Sequence, residues 1–332
     1  MEHKLTRQLE SEICKYTGAQ YAHMVTSATA GLHIAAMIAG IKPGTKFAAS
    51  AYTQAATVNG AISLGGIPTF VDISFPSCTI DFDQIHDDCE VVFVTSINGR
   101  LSMDAAEQIT RLRSRGVTVI EDAAQSLGSF HDGQHVGTFG DMGVFSFGAP
   151  KIITTGQGGC IITNYSDVSK QILAIKNFGR TVSYGEIYNT MGLNYKFTDL
   201  QAAFGLGQME RLPEIVEHKK QIYQWYNDQL IHDTVFLYTD LSDTAPVYPE
   251  IIVDNPMAVM AELKGNNIGY RQAYNCLADQ PFHQQYADAD NPLHFTRHIA
   301  AGGIHLPSQH SLTHEDVIFI SNVVKKGLDN AR

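Results

Sequence analysis

Short runs that are almost wholly apolar recur through the first two-thirds of the chain, each followed by a stretch with helical spacing. Tyr21–Thr26, Lys46–Ser50, Pro68–Asp72, Val91–Thr95, Val117–Glu121, Val144–Phe147 and Cys160–Thr163 read as strands. Thr29–Ala39, the Ala-rich Thr53–Leu64 and Asp104–Ser114 read as helices, with Gly40, Pro43-Gly44 and Gly65-Gly66 as stops. Strands that are apolar throughout, rather than alternating, must be covered on both faces. The pattern therefore predicts an α/β fold with a mostly parallel sheet between helical layers. After about Leu212 the texture changes. Pro213–Leu230 predicts one long helix, and shorter strands and helices richer in His, Asn and Asp follow. The expected division is a large domain over residues 1–210 and a smaller one over 211–332.

A chain of 332 residues can bury a large core, and 44% hydrophobic against 17% charged residues marks it as globular. The net charge of −11, with no basic run, argues against nucleic acid and anionic membranes as partners. It leaves an anionic small molecule open, because a few local cations can serve one. The five cysteines are scattered without a CxxC pair, which argues against a zinc knuckle or a disulfide framework and fits a reducing compartment. The opening residues lack an apolar signal core, and no apolar run reaches membrane-spanning length, so a cytoplasmic protein is expected. The fourteen histidines show no HExxH or similar spacing, and no metal is expected.

Two residues suggest chemistry. Asp122 ends the apolar run Val117-Thr118-Val119-Ile120-Glu121-Asp122, and the C-terminal end of a strand is where open α/β sheets bind ligands. Glu121 beside it is expected to face the other way, because strand side chains alternate. Lys151 lies between Phe145-Ser146-Phe147 and the turn Gly156-Gln157-Gly158-Gly159. A lysine that forms a Schiff base and a carboxylate that keeps a pyridine nitrogen protonated are what pyridoxal 5'-phosphate (PLP) requires. Each has a plainer reading, as a surface lysine and a helix-capping acid. Ser27-Ala28-Thr29-Ala30-Gly31, between a strand and a helix, offers hydroxyls and amide groups to an anion, and Ser146 offers another hydroxyl. Gln125, one turn after Asp122, is placed to reach a phenolic oxygen. No GxxxxGK[ST] or GxGxxG unit supports a nucleotide cofactor.

In collinear order, these segments resemble the DegT/DnrJ/EryC1/StrS family of sugar aminotransferases. The resemblance runs from about Leu9 to Leu212. It takes in Ser27 to Gly31, Gly40-Ile41-Lys42-Pro43-Gly44, Pro68 to Asp72, Glu121 to Gln125, Phe139-Gly140-Asp141, Ser146 to Lys151, the turn ending at Gly159, and Gly192-Leu193-Asn194-Tyr195. A weaker echo follows at Leu306-Pro307 and Leu312-Thr313. The resemblance implies fold type I: a large domain around a mostly parallel seven-stranded sheet, with a smaller C-terminal α+β domain. It implies that Lys151 carries the cofactor, Asp122 pairs with its ring nitrogen and Gln125 with its phenolic oxygen. Ser27, Thr29, the Ala30 amide and Ser146 would hold the phosphate, with Asn194 reaching it from the other subunit of a homodimer. The implied reaction moves an amino group from an amino acid, usually L-glutamate, through pyridoxamine 5'-phosphate (PMP) to a keto- or aldehydo-sugar. Such amino sugars go into surface polysaccharide such as lipopolysaccharide, or into secondary metabolites.

The departures fall on the substrate side. Gln54 stands where the family carries an aromatic residue stacked on the cofactor ring; either Tyr52 or the Gln54 amide could serve instead. Val94-Thr95-Ser96-Ile97-Asn98-Gly99 replaces a family segment and loses its histidine. Gly269-Tyr270-Arg271-Gln272-Ala273-Tyr274 is the nearest match to a C-terminal substrate stretch. Arg180 and Tyr274 are the substrate candidates, and the sugar, free or nucleotide-linked, stays open. Retention of Lys151, where one family branch has histidine, favours amino transfer. A PLP- or PMP-dependent dehydratase and a non-catalytic regulatory protein of the same fold are the alternatives.

Overall fold

The computed structural model describes residues 4–181, 186–236 and 239–330. Seven strands form the main sheet: β1 (Tyr21–Val25), β2 (Lys46–Ser50), β3 (Ile67–Val71), β4 (Val91–Thr95), β5 (Thr118–Asp122), β6 (Met142–Ser146) and β7 (Gly159–Thr163). Their order across the sheet is β1-β7-β6-β5-β4-β2-β3. All neighbouring pairs from β6 to β3 are parallel, whereas β7 runs antiparallel to both β6 and β1. The expected mostly parallel sheet is present.

Both faces of the sheet are covered, as the uninterrupted apolar runs require. Alternate residues of β7 go to opposite sides: Ile161 joins Leu32, Ile34 and Ile172, while Cys160 and Ile162 pack with Leu9, Ile13 and Phe145. The first layer comes from the helices α2 (Ala28–Ile38), α3 (Ala56–Ser63) and α5 (Ser166–Ile175). On the other face lie α1 (Lys4–Thr17), α4 (Ala105–Ser114) and α6 (Asp199–Glu210).

The nineteen-residue α7 (Leu212–Leu230) joins two cores. Its Ile215 and Val216 pack with the main-sheet core, and Ile222, Tyr226 and Leu230 pack in a second core with Val259, Leu263, Val317 and Val324. That second core lies among α7, α8 (Pro256–Gly265), α10 (His314–Asp329) and an antiparallel sheet. The strands of this sheet are β8 (Val235–Phe236), β9 (Glu250–Ile252), β10 (Arg271–Gln272) and β11 (Gly303–His305), in the order β8-β9-β11-β10. Helix α9 (His294–Gly302) leads directly into β11.

A buried polar cluster ties the second unit to the sheet ends of the first. Glu250 accepts hydrogen bonds from Arg100 Nη2 (2.6 Å), His305 Nε2 (2.8 Å) and Asn98 Nδ2 (3.2 Å). Burial would push this carboxyl up, but Arg100 and His305 overcome it and hold Glu250 down at about 2. Asn98 sits at φ 55°, a left-handed conformation that asparagine tolerates better than most residues. There its Oδ1 accepts from the amides of Val247 (2.6 Å) and Tyr248 (2.8 Å).

Candidate active site

The carboxyl ends of the parallel strands converge, and the site is built there. Asp122 is the last residue of β5 and is buried. One carboxylate oxygen accepts from Thr57 Oγ1 (2.6 Å), on the first turn of α3, and the other from the Ala124 amide (3.2 Å). Burial raises the Asp122 pKa, opposed by Thr57, Ala124 and the charge of Lys151. Glu121 points the other way, as strand alternation predicts, and accepts from the amides of Gly137 (2.8 Å) and Gly140 (2.6 Å).

Lys151 lies on the turn after β6 and is half-buried. Burial depresses its amine to about 8; Asp122 pulls the other way, and the positive charge of Arg271 adds to the depression. A desolvated amine near neutrality is suited to attack an aldehyde.

Gln125 is fixed at both ends of its amide. Its Oε1 accepts from the Asn98 amide (3.0 Å), and its Nε2 donates to the Tyr274 hydroxyl (3.0 Å). One further Nε2 hydrogen remains to offer a phenolic oxygen. Tyr274 is thus brought into the site, packed edge-on against Tyr52 (centroids 5.8 Å apart).

Strand register assembles the anion cradle. Val25 and Ser146 both pair with Gly159, from opposite sides of β7. That puts Ser27, Thr29 and Ser146 at one edge, although nearly 120 residues separate Thr29 from Ser146 along the chain. A Cβ on Gly159 would lie 2.5 Å from the Ser27 carbonyl carbon and the Ala28 nitrogen, so only glycine permits this approach. Ser27 caps α2, its Oγ accepting from the Ala30 amide (3.1 Å). The Ala30 N–H expected to face a phosphate is therefore engaged within the helix cap. Thr29 is exposed, and the other first-turn amides of α2 lack intrahelical acceptors. The loop carrying Asn194 joins the same edge, where the Thr26 amide donates to the Tyr195 carbonyl (3.2 Å). Asn194 itself is exposed.

Gln54 is exposed on a cavity of about 660 Å³ that also meets Arg271 and Tyr274. Tyr52 is wholly buried with its hydroxyl 3.4 Å from Glu250, which leaves Gln54 at the open position. Arg180 stacks between Phe178 (5.4 Å) and Tyr188 (5.5 Å), outside the lining of the Lys151 cavity. Thr57, Asn98, Tyr248 and Glu250 join the site without standing out in the sequence as site residues. Thr57 carries a faint signal, lying four residues after Thr53 within the stretch expected to be helical. Glu250 and Tyr248 carry none, because their partners are remote in sequence.

This set fits PLP: an acid for a ring nitrogen, an amine for an aldehyde, an amide for a phenolic oxygen and a glycine-lined helix start for a phosphate. Among the described residues, no group of three or more acidic, His or Cys side chains could hold a metal ion. No helix there is long and apolar enough to cross a membrane.

Known proteins share the family and the fold. Residues 2–325 match the model of the DegT/DnrJ/EryC1/StrS aminotransferase family. The chain is 28% identical to the GDP-perosamine synthase of Escherichia coli O157:H7, covering 96% of this chain and 89% of that protein. Its fold superposes on Helicobacter pylori PseC, an aminotransferase involved in the biosynthesis of pseudoaminic acid, with TM-score 0.89 at 20% identity, covering 99% and 92% of the two chains. It also superposes on Streptococcus pneumoniae Spr1654, solved in PMP and PLP forms. For the PMP form the TM-score is 0.91 at 22% identity, with 99% and 91% covered. From its first strand to the end of its second core, the chain belongs to the DegT/DnrJ/EryC1/StrS family of PLP-dependent sugar aminotransferases.

Proposed function

We propose that this protein transfers an amino group from an amino acid, L-glutamate by the family's habit, to a keto- or aldehydo-sugar. The observation that carries this is the meeting of Asp122 and Lys151 at the strand ends of a family-typical sheet. When bound, PLP supplies an electron sink for the bond broken at the carbon bearing nitrogen. Asp122, buried and fixed by Thr57, keeps the ring nitrogen protonated. Lys151 Nζ would hold the cofactor and, as general acid and base, would carry the proton between the substrate carbon that bears nitrogen and the cofactor's aldehyde-derived carbon. Gln125 offers its free N–H to the phenolic oxygen. Ser27 shapes the α2 start where Thr29 and Ser146 take the phosphate, and Gln54 borders the ring. Arg180 and Tyr274 remain the substrate-side candidates of the sequence reading.

In this reading the domains are residues 1–210 and 211–332, and the active unit is a homodimer with Asn194 reaching the partner's phosphate. An apolar stripe on α6, Leu200 (86% exposed) and Phe204 (56% exposed) with Ala203 and Gly207, supports a second copy packing beside Asn194. The names of its relatives, a GDP-perosamine synthase and an aminotransferase involved in the biosynthesis of pseudoaminic acid, support amino-sugar biosynthesis for a surface polysaccharide such as lipopolysaccharide, carried out in the cytoplasm.

The test uses purified protein, PLP, L-glutamate and a panel of keto- and aldehydo-sugars. Borohydride should fix the cofactor on the Lys151 peptide of wild type and not of Lys151→Ala, and a sugar should gain a C–N bond as 2-oxoglutarate appears. A sugar that loses oxygen without gaining nitrogen would instead mark a dehydratase. Protein that binds no PLP would be non-catalytic.

A further inference from the structure

The loop after β4 joins the proposed cofactor site to the second core through one buried side chain. Asn98, 1% exposed, commits its whole amide to the segment that leads into β9. Its Oδ1 accepts from the Val247 and Tyr248 amides, and its Nδ2 donates to the Tyr248 carbonyl (2.6 Å) and to Glu250 (3.2 Å). Two acceptor positions and two hydrogens are all that an asparagine amide has, so every one is used. The two bonds with Tyr248 copy a strand ladder, with the side-chain amide in the place of a peptide group.

The anchoring reaches Gln125. Held in this way, Asn98 takes φ 55°, and its backbone N–H meets the Gln125 amide at 3.0 Å. A backbone N–H only donates, so the atom facing it must be the Gln125 oxygen. The Gln125 NH2 group is thereby turned to the other side, where it donates to the Tyr274 hydroxyl (3.0 Å) and keeps one hydrogen over. With the Asn98 N–H displaced, the Gln125 amide is free to turn over and present its oxygen there instead. Asn98 lines neither the Lys151 cavity nor the Gln54 cavity, so its effect on a bound molecule must pass through Gln125.

We propose that Asn98 is a positioning residue for the cofactor's phenolic oxygen; this rests on the PLP reading above. Asn98 sets which end of the Gln125 amide that oxygen meets, and ties the setting to the docking of the second core. A donated N–H stabilises negative charge on a phenolic oxygen, and a carbonyl oxygen in its place repels it. The charge on that oxygen grows when lysine-bound PLP loses its proton. The Gln125 N–H therefore lowers the pH at which the proton is lost, and Asn98 lowers it through Gln125.

The test follows the visible absorbance of the PLP-loaded full chain against pH, without substrate. It compares wild type, Gln125→Ala, Asn98→Ala, Asn98→Gly, and Gln125→Ala combined with Asn98→Gly. The midpoint should rise by about one pH unit in Gln125→Ala and by about half a unit in either Asn98 variant. Glycine accepts a positive φ, so Asn98→Gly supplies the measurement should Asn98→Ala not fold. The combined variant should match Gln125→Ala alone, because Asn98 acts through Gln125. A midpoint unmoved in Gln125→Ala or in Asn98→Gly, or shifts that add in the combined variant, would overturn the positioning role and leave the PLP reading standing. Wild-type protein that gains no visible absorbance from PLP would sink both.

Discussion

At the scale of the residue, environment turns ordinary side chains into reagents. Lys151 differs from a surface lysine chiefly in being desolvated, and burial, with the charge of Arg271 adding to it, moves its amine to about 8 against the opposing pull of Asp122. Only the neutral amine attacks an aldehyde, so the sign of the pH dependence follows. The rate at which cofactor-free protein captures PLP should rise about tenfold per pH unit up to about pH 8 and then flatten. Stopped-flow absorbance would show it; a rate still climbing towards pH 10 would mean a solvated lysine. Asp122 and Lys151 were legible because their residue types and flanking motifs are unusual together. Asn98 was not. In sequence it only lies in the segment that loses a family histidine, two residues after that position, whereas in the fold its side chain joins Val247, Tyr248 and Glu250 while its amide holds Gln125.

At the scale of the element, the seven strands were readable because a strand buried on both faces must be apolar at every position. Boundaries shift by one or two residues, within the ordinary fraying of element ends. Helix α1 was not legible, because it buries only Thr6, Leu9, Ile13 and Thr17 among polar residues. The register of β7 does what no motif states: it sets Gly159 between Val25 and Ser146 and so closes the phosphate cradle. Gly159→Ala should therefore cost about 1–3 kcal/mol in chemical denaturation, the usual range for forcing atoms into a filled site. It should also weaken PLP retention on dialysis. Wild-type values for both would mean that the Ser27 turn yields easily and does not depend on this approach.

At the scale of the molecule, two cores share α7, and the Arg100–Glu250 pair fixes one unit against the other (2.6 Å, both side chains buried). Removing one partner of such a pair typically costs about 3–5 kcal/mol, because the other charge is left buried alone. The site between the units is thus as rigid as that junction. Assembly belongs to the same scale. For the homodimer proposed above, replacing Leu200 by Asp together with Phe204 by Glu places charge on the α6 stripe and should shift sedimentation from dimer to monomer, with loss of PLP retention as the proposed Asn194 contact is lost. A variant that stays dimeric would place the interface on another face.

The sequence by itself determined the parallel sheet, the acid and the lysine at its edge, and the family, because local hydrophobic period and short motifs record what each segment must bury or bind. Only the tertiary structure decided which distant groups join them: Thr57 on Asp122, Tyr274 on Gln125, Gly159 under Ser27, and Arg271 on the wall of the Lys151 cavity. Those contacts depend on strand register and on how the second core docks. No local pattern encodes either, since each is fixed by packing across the whole chain.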